Sequence, residues 1–253
     1  MFIVFNKEKL QTYAVAILTV AVLIGIANTN SIKTIQTSSN EKLLPIYNVQ
    51  TDKKQVAFTM NCAWNADDID SILETLKNNN VKITFFIVGE WADKYPEAVK
   101  KIHEAGHEIG SHSDKHPHVN KLSSGENLKE IQLSVSKIEK ITGNKTDLYR
   151  APYGEYNNTV IQTAQENGYF TIQWNLDTLD YEGLTGEEMW NKLKDKIVNG
   201  SIILSHNGTK HTADSLDMLI KNIKAKGYDL VKISDLLIKE NYEINANGTQ
   251  IKK

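Results

Sequence analysis

The chain has 253 residues, which favours one catalytic-sized domain with an appendage over two full domains. Its composition, with 40% hydrophobic and 24% charged residues, is that of a folded protein and excludes wholesale disorder. The 29 Lys and Arg and 31 Asp and Glu give a net charge of −2, which argues against a nucleic-acid binder that relies on bulk positive charge. The single cysteine, Cys62, excludes an intrachain disulfide framework and any zinc motif built from several cysteines.

The N-terminal segment predicts a membrane anchor. Residues 10–27 are uncharged and mostly apolar, follow Lys7 and Lys9, and are just long enough to cross a bilayer as a helix. Positive charge on the short leading side predicts that residues 1–9 stay cytoplasmic and that the rest is exported. The small residues at 25–27 leave a cleaved signal peptide as the alternative. A polar linker is predicted over 28–51, and either reading places the remainder outside the cytoplasmic membrane, anchored or secreted.

Short apolar runs alternate with amphipathic ones through the exported part. Strands are predicted at 56–60, 81–89, 107–112, 147–150, 169–174 and 201–206, helices at 69–77, 92–105 and 122–141, and a last strand and helix over 226–237. This alternation predicts a mostly parallel sheet with crossover helices. Seven strands in roughly 190 residues are too few for a complete eight-fold barrel. The predicted fold class is therefore α/β, a distorted, incomplete (β/α) barrel over 52–240, with 241–253 as a polar tail.

Chemically useful side chains fall where these strands end. The C-terminal ends of parallel strands share one face, and active sites of such folds are built there. If these residues had no common role, polar groups from five separate stretches of the chain would have to reach the same edge of the sheet by chance. The residues in question are Asn61, Cys62, His112, His116, Arg150, Asp177, Asp180 and His206.

His112 and His116 are candidate metal ligands. Two imidazoles four residues apart face the same side of a helical turn and can bind one divalent cation, the alternative being a polar loop with incidental histidines. A carboxylate from Asp67 or Asp68 is the obvious third ligand, although both residues also suit the first turn of a helix. Cys62 is either a small buried residue or a thiolate ligand.

Two further residues have candidate roles in acid–base chemistry. Arg150, in a stiff Arg-Ala-Pro-Tyr-Gly turn, would pair with a site carboxylate, and the Tyr153 backbone N–H would serve as an oxyanion donor; the alternative is a turn with an exposed arginine. His206 ends an apolar strand and is either a hydrogen-bonded core residue or, with Asp177 or Asp180 beside it, a general acid.

The ordered motifs HSxxHP, RxPYG, WxxDxxDY and LxH, behind a strand with a polar tip, resemble the NodB-homology polysaccharide deacetylases, carbohydrate esterase family 4. Within this family the chain is most similar to the membrane-anchored, PdaB-like sporulation branch. The resemblance covers about residues 52–240. It implies a distorted (β/α) barrel, a divalent metal that is commonly Zn²⁺, and hydrolysis of N-acetyl groups on peptidoglycan or chitin-like sugars.

The resemblance also implies roles for individual positions. His112 and His116 match the metal-binding histidines. Arg150, Pro152 and Tyr153 match the motif that supports the base and supplies the oxyanion donor. Asp180 with Tyr181 occupies the place of the motif that tunes the acid, and His206 matches that acid, with Leu204 lining the acetyl pocket.

The first motif departs from the family pattern Thr-Phe-Asp-Asp-Gly. Asn61 stands at the position of the catalytic base and Cys62 at that of the metal-binding aspartate. An amide does not accept a proton as a carboxylate does. A variant of the motif, Phe-Asp-Ala-Ala-Trp-Gly-x-x-Asp, aligns with Trp64 and Asp68, which makes Asp68 the preferred third ligand ahead of Cys62.

Two functions remain open from the sequence. The first is metal-dependent N-deacetylation of cell-wall polysaccharide, connected with sporulation, with metal-bound hydroxide, Asp67 or Asp68 replacing the missing base. The second is a catalytically inactive module that binds cell-wall glycan at the membrane. In either case Trp64 and Tyr181 are predicted to contact sugar rings, and Asn61 and Cys62 favour the second function.

Overall fold

A parallel sheet organises the structure, a computed structural model that describes residues 42–253. Seven strands follow the order β6-β5-β4-β3-β2-β8-β7, and β9 pairs with the first part of β2. This half-barrel confirms the predicted incomplete barrel. The strands are β2 (Gln55–Cys62), β3 (Thr84–Ile87), β4 (Glu108–Ser111), β5 (Leu148–Tyr149), β6 (Phe170–Thr171), β7 (Leu176–Asp177), β8 (Ile202–His206) and β9 (Asp229–Leu230).

Crossover helices cover the sheet, and local sequence patterns determine where these helices begin and end. The first helix begins at Asp68 as N-cap and buries Ile69, Ile72 and Leu76, an i, i+3, i+7 stripe. The helices are α1 (Ile69–Asn78), α2 (Gly89–Lys94), α3 (Pro96–Glu104), α4 (Ser124–Thr142), α5 (Asn158–Glu166), α6 (Gly186–Leu193), α7 (Thr212–Ala225) and α8 (Ile233–Leu236). Capping boxes begin α4 and α6, which fixes where each helix starts.

The helix predicted over 92–105 is two helices, α2 and α3, which meet at Tyr95. Pro96 has no backbone N–H and disfavours a helical conformation at the residue before it, so Tyr95 has φ −128° and ψ 55°. The strand predicted over 81–89 is also shorter, because α2 already begins at Gly89. A Cβ at Gly89 would clash with Asp114, so this close approach requires glycine.

A second, small sheet lies outside the sequence prediction. It has the order β1-β11-β10, from β1 (Asn48–Val49), β10 (Tyr242–Ile244) and β11 (Thr249–Lys252). The segment 241–253, predicted as a polar tail, therefore contains two strands, and its Gln250 is fully buried with its amide bonded to the backbone of Ile238. Because its strands are short and polar, no apolar run predicted this sheet.

The main core packs between one face of the sheet and the helices. Alternate residues of β2, namely Val56, Phe58, Met60 and Cys62, belong to it. The other alternation of β2 places Thr59 and Asn61 on the opposite face, towards the site described below. No helix within residues 42–253 is long and apolar enough to cross a membrane, and the predicted anchor at 10–27 lies outside the described residues.

Candidate active site

A buried arginine connects the tips of two strands. Arg150 follows β5, is fully buried, and donates from Nη1 to Thr59 Oγ1 at 2.9 Å and to Asn61 Oδ1 at 3.0 Å. Its Nε and Nη2 donate to the carbonyl oxygens of Ile172 at 3.4 Å and Gln173 at 3.2 Å. The arginine is thus held as the sequence predicted for a supporting residue, but its partner at the tip of β2 is an amide.

The charge of Arg150 is balanced by dipoles and ring faces. Its Cζ lies 4.0 Å from the centre of the Phe86 ring and 5.5 Å from that of Trp174. Within residues 42–253 no carboxylate lies within hydrogen-bond distance of the guanidinium. Burial lowers the pKa of Arg150 to about 9, with the charge of Asp177 acting in the opposite direction. The group therefore stays protonated at neutral pH, as a buried cation without an anionic partner.

The two predicted metal-binding histidines lie together. Nδ1 of His112 donates to the Arg150 carbonyl oxygen at 2.7 Å, which leaves Nε2 as the free lone pair. The His116 ring centre is 4.9 Å from that of His112, with the ring planes at 77°, and His116 has a φ of 55°. Burial is the largest cause that lowers the pKa of each ring, so both are neutral at neutral pH, the state that ligates metals.

The third predicted ligand is engaged elsewhere. Asp68 accepts from Asn207 Nδ2 at 3.1 Å through one oxygen and from the Gly208 amide at 2.7 Å through the other. Cys62 is fully buried, and burial followed by the charge of Asp68 raises the pKa of its thiol well above the usual value, so it is no thiolate at neutral pH.

The donor set therefore matches a divalent metal in part. Two neutral imidazoles suit zinc, yet within residues 42–253 no three His, Cys, Asp or Glu side chains are arranged to hold one ion. The expected set of His112, His116 and Asp68 is not assembled. The reason is that the carboxylate of Asp68 secures the loop after β8 instead, through Asn207 and Gly208.

His206 and Asp180 form a hydrogen-bonded pair at the end of β8. Nδ1 of His206 donates to Asp180 Oδ1 at 2.8 Å, and the His206 amide donates to Asp180 Oδ2 at 2.6 Å. Asp180 is fully buried. Of the two carboxylates that the sequence left open, Asp180 is thus the partner of His206. Asp177 instead accepts from the Leu179 amide and from the Tyr181 hydroxyl.

Exposed aromatic rings surround this pair. Trp64 and Tyr181, each 49% exposed, have ring centres 5.3 Å and 5.4 Å from that of His206. Single exposed apolar side chains are common on protein surfaces, but two that border the same polar pair mark a candidate binding surface. Both residues were predicted to contact substrate, and the structure places both at the rim of the site.

The Arg-Ala-Pro-Tyr-Gly turn borders the site next to His112 and His116. Tyr153 has a φ of 58°, follows the buried Pro152, and is 60% exposed. Its ring lies 4.5 Å from His116 and stacks on His118 at 4.4 Å with the planes 16° apart. Leu204, expected to line an acetyl pocket, is 2% exposed and pairs in register with Thr59.

Sequence reasoning missed several residues that hold the site. Thr59 lies two residues before Asn61 on the same face of β2, and strand alternation is the signal that points to it. Asn207, Gly208 and Thr212 contact site carboxylates from the segment after β8. No local pattern marks these three, because their partners are 32 or more residues away along the chain.

Comparison with known proteins identifies the class of this fold and site. The polysaccharide deacetylase family model matches residues 48–172. A peptidoglycan-N-acetylglucosamine deacetylase of Bacillus cereus is 31% identical over 78% of this chain and 73% of its own length. The chain belongs to the polysaccharide deacetylase family, carbohydrate esterase family 4, whose members are generally metal-dependent.

Two similar proteins are relevant to the altered residues Asn61 and Cys62 at the end of β2. The uncharacterized protein YlxY of Bacillus subtilis is 37% identical over 76% of this chain, which spans 60% of the length of YlxY. BA3943 from Bacillus anthracis, described as a pseudoenzyme of the same family, has a crystal structure that superposes on this chain with a TM-score of 0.74 and 34% sequence identity. The superposition covers 77% of this chain and 69% of the BA3943 chain. A mutant of BA3943 is described as having restored enzymatic activity.

Proposed function

We propose that this protein is an N-deacetylase acting on N-acetylated cell-wall glycan, with slow turnover. The observation that carries the proposal is the His206–Asp180 pair beside exposed aromatic rings and the His112–His116 pair, at the C-terminal edge of one sheet. Relatives named as peptidoglycan deacetylases support the substrate class. Of the two polymers considered from the sequence, these names favour peptidoglycan over a chitin-like glycan.

In this proposal His206 is the general acid. Hydrolysis adds a water oxygen to the acetyl carbon, breaks the C–N bond and releases acetate. The leaving amine takes a proton from His206 Nε2, and the proton lost by the attacking water returns to Nε2 through solvent. Asp180 accepts from Nδ1 and so orients the ring with Nε2 towards the substrate. A backbone N–H of the turn at Tyr153 would stabilise the oxyanion, and Leu204 would line the acetyl pocket.

The slow turnover follows from Asn61. Its Oδ1 already accepts from Arg150, and an amide takes up no proton from water at neutral pH. Loss of a general base costs roughly 10²–10⁴-fold in rate. No step above depends on a metal, and zinc at His112 and His116 stays a prediction, because the third ligand is not assembled.

One observation favours a second function, an inactive module that binds cell-wall glycan. Both groups that a hydrolase of this kind needs at the tip of β2 are neutral here, Asn61 as an amide and Cys62 as a protonated thiol. The aromatic rim would then serve binding alone. The similarity to BA3943, described as a pseudoenzyme, is compatible with this alternative.

Acetate release from N-acetylglucosamine oligomers and from purified peptidoglycan tests the two functions. Acetate release by the wild type that His206→Asn abolishes supports the deacetylase. Retained oligomer binding with no acetate release under any divalent metal, together with activity in Asn61→Asp/Cys62→Asp, supports the binding module and overturns the first proposal.

The proposed location of this domain is outside the cytoplasmic membrane, next to its glycan. The support is the sequence of residues 10–27, read as an anchor or signal peptide. A role in sporulation stays a prediction from the similar family branch. A fusion of residues 1–51 to alkaline phosphatase, which is active only after export, checks the location.

A further inference from the structure

The carboxylate of Asp180 is held by more than the histidine. Its Oδ1 accepts from His206 Nδ1, while Oδ2 accepts from the His206 amide and also from Thr212 Oγ1 at 2.7 Å. Asp180 is fully buried and Thr212 is 1% exposed, so no bulk water competes for these bonds. Thr212 is the first residue of α7, which fixes where its hydroxyl lies.

A second hydroxyl fixes the direction of this bond. Thr209 Oγ1 lies 2.6 Å from Thr212 Oγ1 and accepts from the Thr212 amide at 3.3 Å. Each hydroxyl has one proton. Since a carboxylate only accepts, Thr212 gives its proton to Asp180, and Thr209 donates in turn to Thr212. The order of donation is therefore Thr209 to Thr212 to Asp180.

We propose that Thr212 is a positioning residue for the His206–Asp180 pair, with Thr209 as its support. A carboxylate is planar, so two donors on Oδ2 fix its rotation and keep Oδ1 directed at Nδ1 of His206. This arrangement holds one histidine proton on Nδ1 and directs Nε2, which carries the second proton of the acid form, at the substrate. Its catalytic value rests on the proposed deacetylase, but the positioning itself is the same in an inactive glycan-binding module.

The test is the tautomer of His206, measured on the full chain by long-range ¹H–¹⁵N NMR at neutral pH. In the wild type we expect one tautomer, with the proton on Nδ1. In Thr212→Val, which keeps the shape and removes the hydroxyl, the other tautomer should rise and the Nδ1 proton should exchange with water about tenfold faster, the factor expected for one hydrogen bond to a charged group. Thr212→Ser, which keeps the hydroxyl, should restore the wild-type spectrum.

An unchanged tautomer and exchange rate in folded Thr212→Val would overturn the proposal. Should that variant fail to fold, Thr209→Val decides, because Thr209 is half-buried and its hydroxyl bonds to Thr212 rather than to Asp180. A partial shift in the same direction supports the proposal, and no shift refutes it. If the wild type releases acetate, kcat should fall about tenfold in Thr212→Val with KM unchanged. The NMR result with no acetate release in any variant would uphold the positioning and refute the deacetylase.

Discussion

Replacing Asn61 by aspartate would give the buried guanidinium of Arg150 an anionic partner. The two side chains are 4% and 0% exposed, and the present bond is 3.0 Å long. At that distance and an effective dielectric constant of about 20, two unit charges attract by about 5.5 kcal/mol. Burying the new carboxylate costs several kcal/mol, whereas the arginine is already desolvated. We therefore expect Asn61→Asp to be more stable by about 2 kcal/mol at neutral pH.

Thermal unfolding measures this gain directly. For a domain of this size 2 kcal/mol corresponds to a rise in Tm of about 4–8 °C. The sign of the pH dependence follows from the pairing: the cation lowers the pKa of the new carboxyl group, so the gain is present at neutral pH and disappears as acid protonates that group, starting below about pH 4. Acetate release should increase by about 10²–10⁴-fold if the base is the missing component.

Asn247→Asp is the matched control, since the same chemical change at an exposed position should alter stability by less than about 0.5 kcal/mol. A Tm for Asn61→Asp at or below that of the wild type would refute the reasoning. It would mean that the carbonyl oxygens of Ile172 and Gln173 and the ring of Phe86 already balance the charge of the arginine.

Three other predictions follow from single side chains. Burial lowers the pKa of His107 to about 4, so between pH 6.5 and 4 the unfolded chain binds a proton that the folded protein does not, and about 3 kcal/mol of stability is lost as the pH falls through that range. In urea unfolding, His107→Gln should lose correspondingly less stability than the wild type between pH 7 and pH 4, and equal losses would contradict this. Cys62→Asp should tighten zinc binding at least about tenfold in calorimetry by supplying a third ligand, and an unchanged affinity would argue against that position as the missing ligand. Trp64→Ala should weaken binding of N-acetylglucosamine oligomers by about 2–10-fold. Leu133→Ala, which removes another exposed apolar side chain, should leave this binding unchanged. Equal affinities of Trp64→Ala and the wild type would exclude Trp64 from the binding surface.

The sequence predicted the sheet well because each strand is an apolar run set apart by an amphipathic helix. It overestimated the length of α2 and α3 as one helix, although Pro96 carried the information needed to separate them. It gave no sign of the sheet formed by β1, β10 and β11, whose strands are short and polar. The positions of such strands depend on the segments that they contact. Val49 of β1, for example, packs so closely on Gly200 that a Cβ on residue 200 would clash with the Val49 backbone.

At the site, chain order predicted which residues meet but not how they are paired. The ends of parallel strands brought Asn61, Arg150 and His206 together as expected. The involvement of Asp68 with Asn207 could not be read from the sequence, because the two residues are 139 positions apart and the motif variant that contains Asp68 points to metal ligation instead. Roles that depend on exact pairing therefore needed the structure.

The two candidate functions differ by two charges at the tip of β2. Asn61 keeps the hydrogen bond to Arg150 while it removes a base, and the protonated Cys62 removes an anion that would attract a divalent cation. Asn61→Asp alone would supply a base with no third metal ligand, and Cys62→Asp alone a ligand with no base. Groups that act as a unit are not additive in their effect on rate. Acetate release by the double variant should accordingly exceed the sum of the two single variants by about tenfold or more, and simple additivity would show that base and metal ligand do not act in one step here.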